Sequence, residues 1–306
     1  MPRVTFFSGA VLTFLAMAFS CTELAARDLK ATRVGDRIDV TVGNEFFTSY
    51  RFSADEKYPF FFPVNGPSGA SVTSMRNGNF PHHSSLFFGC DKVNGGNYWQ
   101  DGLESGQIIS EGAVIVRASG PDVVVTEVCH WRRPGAESPF RDTRRITLSE
   151  PAPNRRQIDF EVELEALMDV TIARTNHSWF SIRLDPDLAP IFGGTLENAE
   201  GKTGEKATFG QPSAWMVAFG ERAPQKCEGL ALFQHPSNRW APSPWFTRDY
   251  GFLSPTPMYW PADGSATRLA KGEKLRLRYR VLVFGGEPDR AELARRYAEY
   301  AASPSS

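Results

Sequence analysis

Residues 157–166 read Gln-Ile-Asp-Phe-Glu-Val-Glu-Leu-Glu-Ala, so Ile158, Phe160, Val162 and Leu164 alternate one for one with Asp159, Glu161, Glu163 and Glu165. A helix cannot sort such a run, because its faces repeat every 3.6 residues, whereas a strand repeats every two. The stretch therefore predicts one dry and one wet face of an antiparallel sheet. Four carboxylates in a row also suggest paired catalytic acids, but their strict alternation fits a solvated strand face better.

The same period recurs along the chain. Residues 37–42 and 275–281 alternate in the same way, and residues 214–219 and 229–235 read as two further strands. Residues 113–118 and 123–131 flank Ser119-Gly120-Pro121-Asp122, a hairpin signature. In residues 58–69, Pro59 and Pro63 bracket Phe60, Phe61 and Phe62, which excludes a helix interior and predicts an edge strand leading into a rigid turn. Residues 76–102 predict a long loop with an embedded apolar strand, and residues 236–261 a loop rich in Pro and Trp. Pro288 opens the one clear helix, residues 289–301, with Leu293, Tyr297 and Tyr300 as its apolar stripe. The expected fold is all-β, a large antiparallel β-sandwich with one C-terminal helix. No internal repeat suggests a propeller, and no break in composition divides residues 27–306, so one domain is expected.

The N-terminus has its own pattern. Arg3 precedes an apolar run over residues 4–20, and small residues follow at Ala25 and Ala26. That order is a secretory signal over residues 1–26, which predicts export to the periplasm or beyond. Cys21, after Ala18-Phe19-Ser20, leaves a lipoprotein as the alternative. The run is marginal for a membrane span. Lys plus Arg number 34 against 35 Asp plus Glu, so no global field would draw nucleic acid or an anionic membrane. Cys90, Cys129 and Cys227 lack zinc-site spacing; one disulfide or three inert thiols are the two readings, and oligomeric state is open.

Four of the five histidines, His82, His83, His177 and His235, lie in loop or strand-end clusters with Pro, Gly and aromatic residues, whereas His130 reads as structural. In residues 174–183, an extended backbone puts His177, Trp179, Ser181 and Arg183 on one face. His82 and His83 are consecutive and would point opposite ways on a regular strand; an irregular backbone after Pro81 would let both approach one site, one facing a pocket and the other buried. Trp99, Trp179, Tyr250, Asn176, Gln234 and Arg248 accompany these histidines. Aromatic faces for sugar C–H groups, with amides and guanidinium groups for hydroxyls, suit a carbohydrate; core packing is the alternative role for some of the tryptophans. No P-loop, dinucleotide fingerprint, zincin motif or nucleophile elbow occurs, so no cofactor is expected. A divalent metal held by the four histidines with Glu200 or Asp249 stays open.

Two resemblances follow from these motifs. Thr175-Asn176-His177-Ser178-Trp179-Phe180-Ser181-Ile182 resembles the Asn-His-Ser/Thr-Tyr-Phe-Asn-Leu strand of aldose 1-epimerases, the galactose mutarotases. That likeness implies a β-supersandwich, with His177 as the acid that protonates the sugar ring oxygen. The segment Gly229-Leu230-Ala231-Leu232-Phe233-Gln234-His235-Pro236 is placed like that family's Gly-x-x-Leu-Glu-x-Gln segment, but the glutamate that serves there as general base is missing. Over nearly the whole mature chain, residues 58–69, Pro81-His82-His83 through Gly89, Asn176-His177, Glu200-Gly201, His235-Pro236 and Arg248-Asp249-Tyr250-Gly251 resemble an exported bacterial family labelled "PmoA family". Its label evokes a methane monooxygenase subunit built of membrane helices, which nothing in this sequence supports. Ser84 stands where members carry an arginine after the double histidine.

The leading expectation is an exported carbohydrate-active enzyme. In it His177 serves as general acid, His235, His83, Glu200 or Asp249 supplies the second acid–base group, and His82, Asn176, Trp179, Arg183, Trp99, Gln234, Arg248 and Tyr250 bind the sugar. A non-catalytic glycan-binding protein is the alternative, and a metal-dependent hydrolase the third.

Overall fold

The computed structural model describes residues 1–2, 27–78, 80–100, 102–260 and 263–304. The expected export signal, including Cys21, falls almost wholly outside them. Among the described residues no helix is long and apolar enough to cross a membrane.

Two nine-stranded antiparallel sheets form the body. The first runs in the order Trp245–Arg248, Phe252–Pro255, Ser178–Arg183, Leu86–Cys90, Phe60–Val64, Glu45–Arg51, Arg37–Val42, Leu29–Val34 and Ser119–Gly120. The second runs Thr195–Asn198, Trp215–Ala223, Lys226–Gln234, Lys274–Gly285, Arg155–Ala166, Phe140–Ala152, Asp122–Arg132 and Gln107–Ser110, and Val114–Arg117 also pairs with Asp122–Arg132. The sheets pack face to face, meeting at pairs such as Phe88 with Phe160 (5.6 Å) and Phe180 with Tyr279 (5.2 Å). Aromatic contacts of this kind add about 0.5–1.5 kcal/mol each beyond the area they bury.

The acidic row of strand Arg155–Ala166 is a ladder of cross-strand ion pairs. Asp159 meets Arg280 at 2.6 Å, and Glu163 meets both Lys274 and Arg276 at 2.7 Å. The helix Arg290–Ala301 forms as its pattern predicts, with the Asp289 side chain accepting from Ala291 N at 2.8 Å and Leu293 and Tyr300 buried. A second, shorter helix spans Gly204–Thr208.

Two expectations need correction. Phe60–Val64 is an interior strand, not an edge strand. Its register against Glu45–Arg51 slips between Thr48 and Tyr50, and at such an irregularity the missing Pro63 N–H costs the ladder little. Within residues 236–261, Trp245–Arg248 and Phe252–Pro255 form a hairpin; four-residue strands closed by Arg248–Gly251 are too short to show a period. Gly251 has φ +91° and donates to Arg248 O at 2.9 Å. The three cysteines Cys90, Cys129 and Cys227 are free thiols, the first two buried and the third half-buried.

Candidate functional site

Strands Leu86–Cys90 and Ser178–Arg183 pair with Phe88 opposite Phe180 and Phe87 opposite Ser181. Phe88 and Phe180 face the second sheet. Phe87 therefore faces the other way, where it meets Trp99 (5.0 Å) and stacks on Tyr58 (4.7 Å). The loops before and after Leu86–Cys90 cover this outer face. A Cβ on Gly89 would lie 2.4 Å from Tyr98 O, so the glycine allows the second loop to lie against the strand. Asn97 Oδ1 then accepts from Trp99 N (3.0 Å) and Gln100 N (2.8 Å), which fixes the turn carrying Trp99.

On that platform the His177 ring stacks on Trp99, with centroids 4.3 Å apart and planes at 19°. His177 Nδ1 lies 3.7 Å from Asp91 Oδ2, and Asp91 N donates to His177 O at 2.9 Å. The Asp91 carboxylate thus stands beside the Nδ1 edge of the ring.

His82 and His83 come together through a turn after Pro81, with ring centroids 4.5 Å apart and planes at 82°. His82 is half-buried, 5.6 Å from Trp99 and 6.5 Å from His177. His83 is 3% exposed and sits in a bent stack of Tyr250, Phe80, His83 and Phe252, with successive centroids 4.3, 5.0 and 4.7 Å apart and Tyr250 only 6.3 Å from His83. Burial, helped by the His82, Arg183 and His177 charges, pushes His83 down to about 2, so its ring stays neutral. Arg183 lies over the other end of the stack, 5.0 Å from the Phe80 ring and 4.7 Å from Tyr250.

A cleft of about 490 Å³ opens beside His82 and Trp99, with Glu56, Tyr58, Arg76 and Ser84 in its wall. A second hollow of about 640 Å³ meets it at Gln100 and is lined by Asp91, Lys92, Asn97 and Arg133. A smaller one of about 370 Å³ on the second sheet is walled by strand residues such as Glu163 and Arg276, which already pair with each other, and its lining includes no histidine.

The cluster thus gathers His82, His83, His177, Trp99, Arg183 and Tyr250, with Asn176 half-buried beside His177. Other sequence candidates lie elsewhere. Trp179 leaves the expected face: it is fully buried with φ +68°, a break in the alternation that turns its ring onto Phe88 and Trp240. His235 is 5% exposed, bonded to Arg278 and Ser237 and set against Tyr300 of the C-terminal helix. Burial and the Arg278 charge lower its affinity for a proton. Gln234 is spent on the backbone of Ser213 and Ser243. Asp249 accepts from Glu205 N at 2.8 Å and so caps the short helix, while Arg248 pairs with Glu205 at 2.8 Å over Phe209 and Phe246. Glu200 is an exposed turn residue. The four histidines therefore do not meet, and among the described residues no three His, Cys, Asp or Glu side chains form a metal-binding group.

Asp91, Phe80 and Phe252 are members that sequence reasoning missed. Asp91 follows strand Leu86–Cys90 directly, but its place beside His177 depends on the pairing of Cys90 with Ser178, which sequence spacing does not show. Phe80 adjoins Pro81-His82-His83 and could have been included with them.

The chain belongs to the family of unknown function DUF6807, whose profile matches residues 37–298. No curated protein gives a significant match. Among solved structures it is similar to a galactose 1-epimerase from Lactobacillus acidophilus, at 9% identity and TM-score 0.42, over 86% of this chain and 100% of that one. It is also similar to an aldose epimerase homologue from C. elegans, at 9% identity and TM-score 0.37, over 87% of this chain and 100% of that one. Against a protein described as a kojibiose phosphorylase from the human microbiome, at 6% identity and TM-score 0.37, 90% of this chain spans 33% of that chain's length. Similarities at this level assign no residue role here.

Proposed function

We propose that this chain is an exported protein, of the kind labelled "PmoA family", that binds a sugar in the cleft beside His82, Trp99 and His177 and moves a proton on it. In this reading His177 delivers a proton to a sugar oxygen, and Asp91 lies beside its ring. His82 takes a proton from the ligand or from water on the facing side. Such a pair can serve hydrolysis, elimination or epimerisation, and each well-placed proton transfer is worth about 10²–10⁴-fold in rate. The observation that carries the reading is the geometry of two half-buried imidazoles, 6.5 Å apart between centroids, with the His177 ring stacked on Trp99 and with His82 and Trp99 in the wall of an open cleft. The Asn176-His177 strand motif supports the sugar as ligand.

The test is incubation with a panel of glycans, following reducing ends, new double bonds and anomeric change. His177→Ala should abolish the conversion with the fold intact, and a fully active variant would sink the assignment. Binding without turnover is the second reading. It is favoured by the tethering of Gln234 to backbone groups and by the lack of a glutamate beside it in strand Lys226–Gln234 where the mutarotase base would stand.

A further inference from the structure

Four arginines are buried among the described residues, and three of them have partners. Arg144 meets Asp142 at 2.8 Å, Arg156 bonds Gly66 O at 2.9 Å and pairs with Glu45, and Arg278 bonds Pro304 O at 2.9 Å and lies 3.6 Å from Glu161. Arg183 is different. It is 7% exposed, its Nε and Nη1 are buried with no hydrogen-bond partner, and no carboxylate among the described residues pairs with it. The faces of Phe80 and Tyr250 offset part of the cost of stripping water from the guanidinium, but they supply neither an acceptor nor a counter-charge. His83, stacked on the same Phe80, also has a buried nitrogen, Nδ1, with no partner.

Buried polar groups in folded proteins are almost always satisfied, so the unmatched nitrogens of Arg183 and His83, both set against Phe80, call for a partner such as water, an ion or a ligand group. A sugar hydroxyl could accept a hydrogen bond here but would leave the charge unbalanced. An oxyanion would answer both needs, and guanidinium groups are well matched to carboxylates.

We propose that Arg183, with His83 beside it, receives a carboxylate carried by the sugar, so that the site takes acidic sugars of the uronate class in preference to neutral ones. This rests on the reading of the cleft as a sugar site.

The experiment compares binding of galacturonate with galactose and glucuronate with glucose, by calorimetry and tryptophan fluorescence, with inorganic sulfate and phosphate as free-anion probes. The full chain should bind one uronate at least about tenfold more tightly than its neutral partner. Arg183→Met should bring the uronate down to the level of its neutral partner, and Arg183→Lys should retain part of the preference. Thermal unfolding of both variants checks the fold, and protection by the uronate against heat should disappear in Arg183→Met. Equal binding of acid and neutral sugars by the wild type, or an acid preference that survives Arg183→Met, would overturn the inference while leaving the sugar site standing. Binding of sulfate or phosphate with no gain for uronate would also overturn it, by identifying a free-anion site. Failure of every sugar to bind would remove the sugar site and this inference together.

Discussion

His177 and Asp91 hold each other twice: Asp91 N donates to His177 O at 2.9 Å, and Asp91 Oδ2 stands 3.7 Å from His177 Nδ1. The backbone bond sets the distance between the two residues, and the carboxylate faces the Nδ1 edge of the ring. If His177 moves the proton, this pairing orients it.

Asp91→Asn keeps the shape and removes the charge. Turnover should fall by about 10²-fold, the scale of loss when a reacting group is misplaced. Ligand affinity should change little, because Asp91 contacts His177 and is not in the wall of the cleft beside His82 and Trp99. Steady-state kinetics separate the two; a loss confined to KM would place Asp91 in binding instead.

His83 should shape the acid limb of stability. Its folded-state value of about 2 lies below the unfolded value near 6.5, so below about 6.5 the unfolded chain takes up a proton that the folded chain refuses. Stability is therefore complete above that value and falls as the pH drops, by about 1.4 kcal/mol per unit. Urea unfolding between pH 7 and 5 should show a His83→Phe variant losing about 2 kcal/mol less than the wild type. Parallel curves would show that His83 takes up a proton in the folded state.

How much of this was legible beforehand follows from periodicity. Strand Arg155–Ala166 and helix Arg290–Ala301 declared themselves because each repeats long enough to show its period. The hairpin of Trp245–Arg248 and Phe252–Pro255 did not, since four residues make no period, and that hairpin brings Phe252 under His83. His82, His83 and His177 stood out by residue type and setting. Asp91 did not, because its partnership depends on a strand register that spacing along the chain does not reveal. His235 lies apart from them: it ends a strand in sequence much as His177 begins one, yet its strand lies in the other sheet, where Arg278 and Tyr300 enclose it.

The polar core between the sheets should be costly to cut. Arg144 meets Asp142 at 2.8 Å, Glu127 at 3.6 Å and Tyr50 Oη at 3.2 Å, and Trp131 Nε1 donates to Asp142 at 2.8 Å. Arg144→Ala leaves two buried carboxylates without their cation and should cost about 3–5 kcal/mol in urea unfolding. A cost below about 1 kcal/mol would mean that water or protonation replaces the guanidinium. Burial already pushes Glu127 up, so protonation of Glu127 is the first relaxation to look for.

Trp99 is 1% exposed and carries the His177 ring. Trp99→Ala should destabilise by about 3–5 kcal/mol, as large-to-small aromatic changes in cores do. Trp99→Phe should restore most of that stability while leaving His177 a smaller stacking partner, so its defect should appear in turnover. A Trp99→Phe variant with full turnover would show that the indole serves packing alone.

The central claim is that chemistry happens at His177 and not at His235. The most direct measurement is turnover of one glycan panel by His177→Gln and His235→Gln, both checked for folding. His177→Gln should lose at least about 10²-fold while His235→Gln stays close to the wild type. Loss in His235→Gln with activity kept in His177→Gln would contradict it.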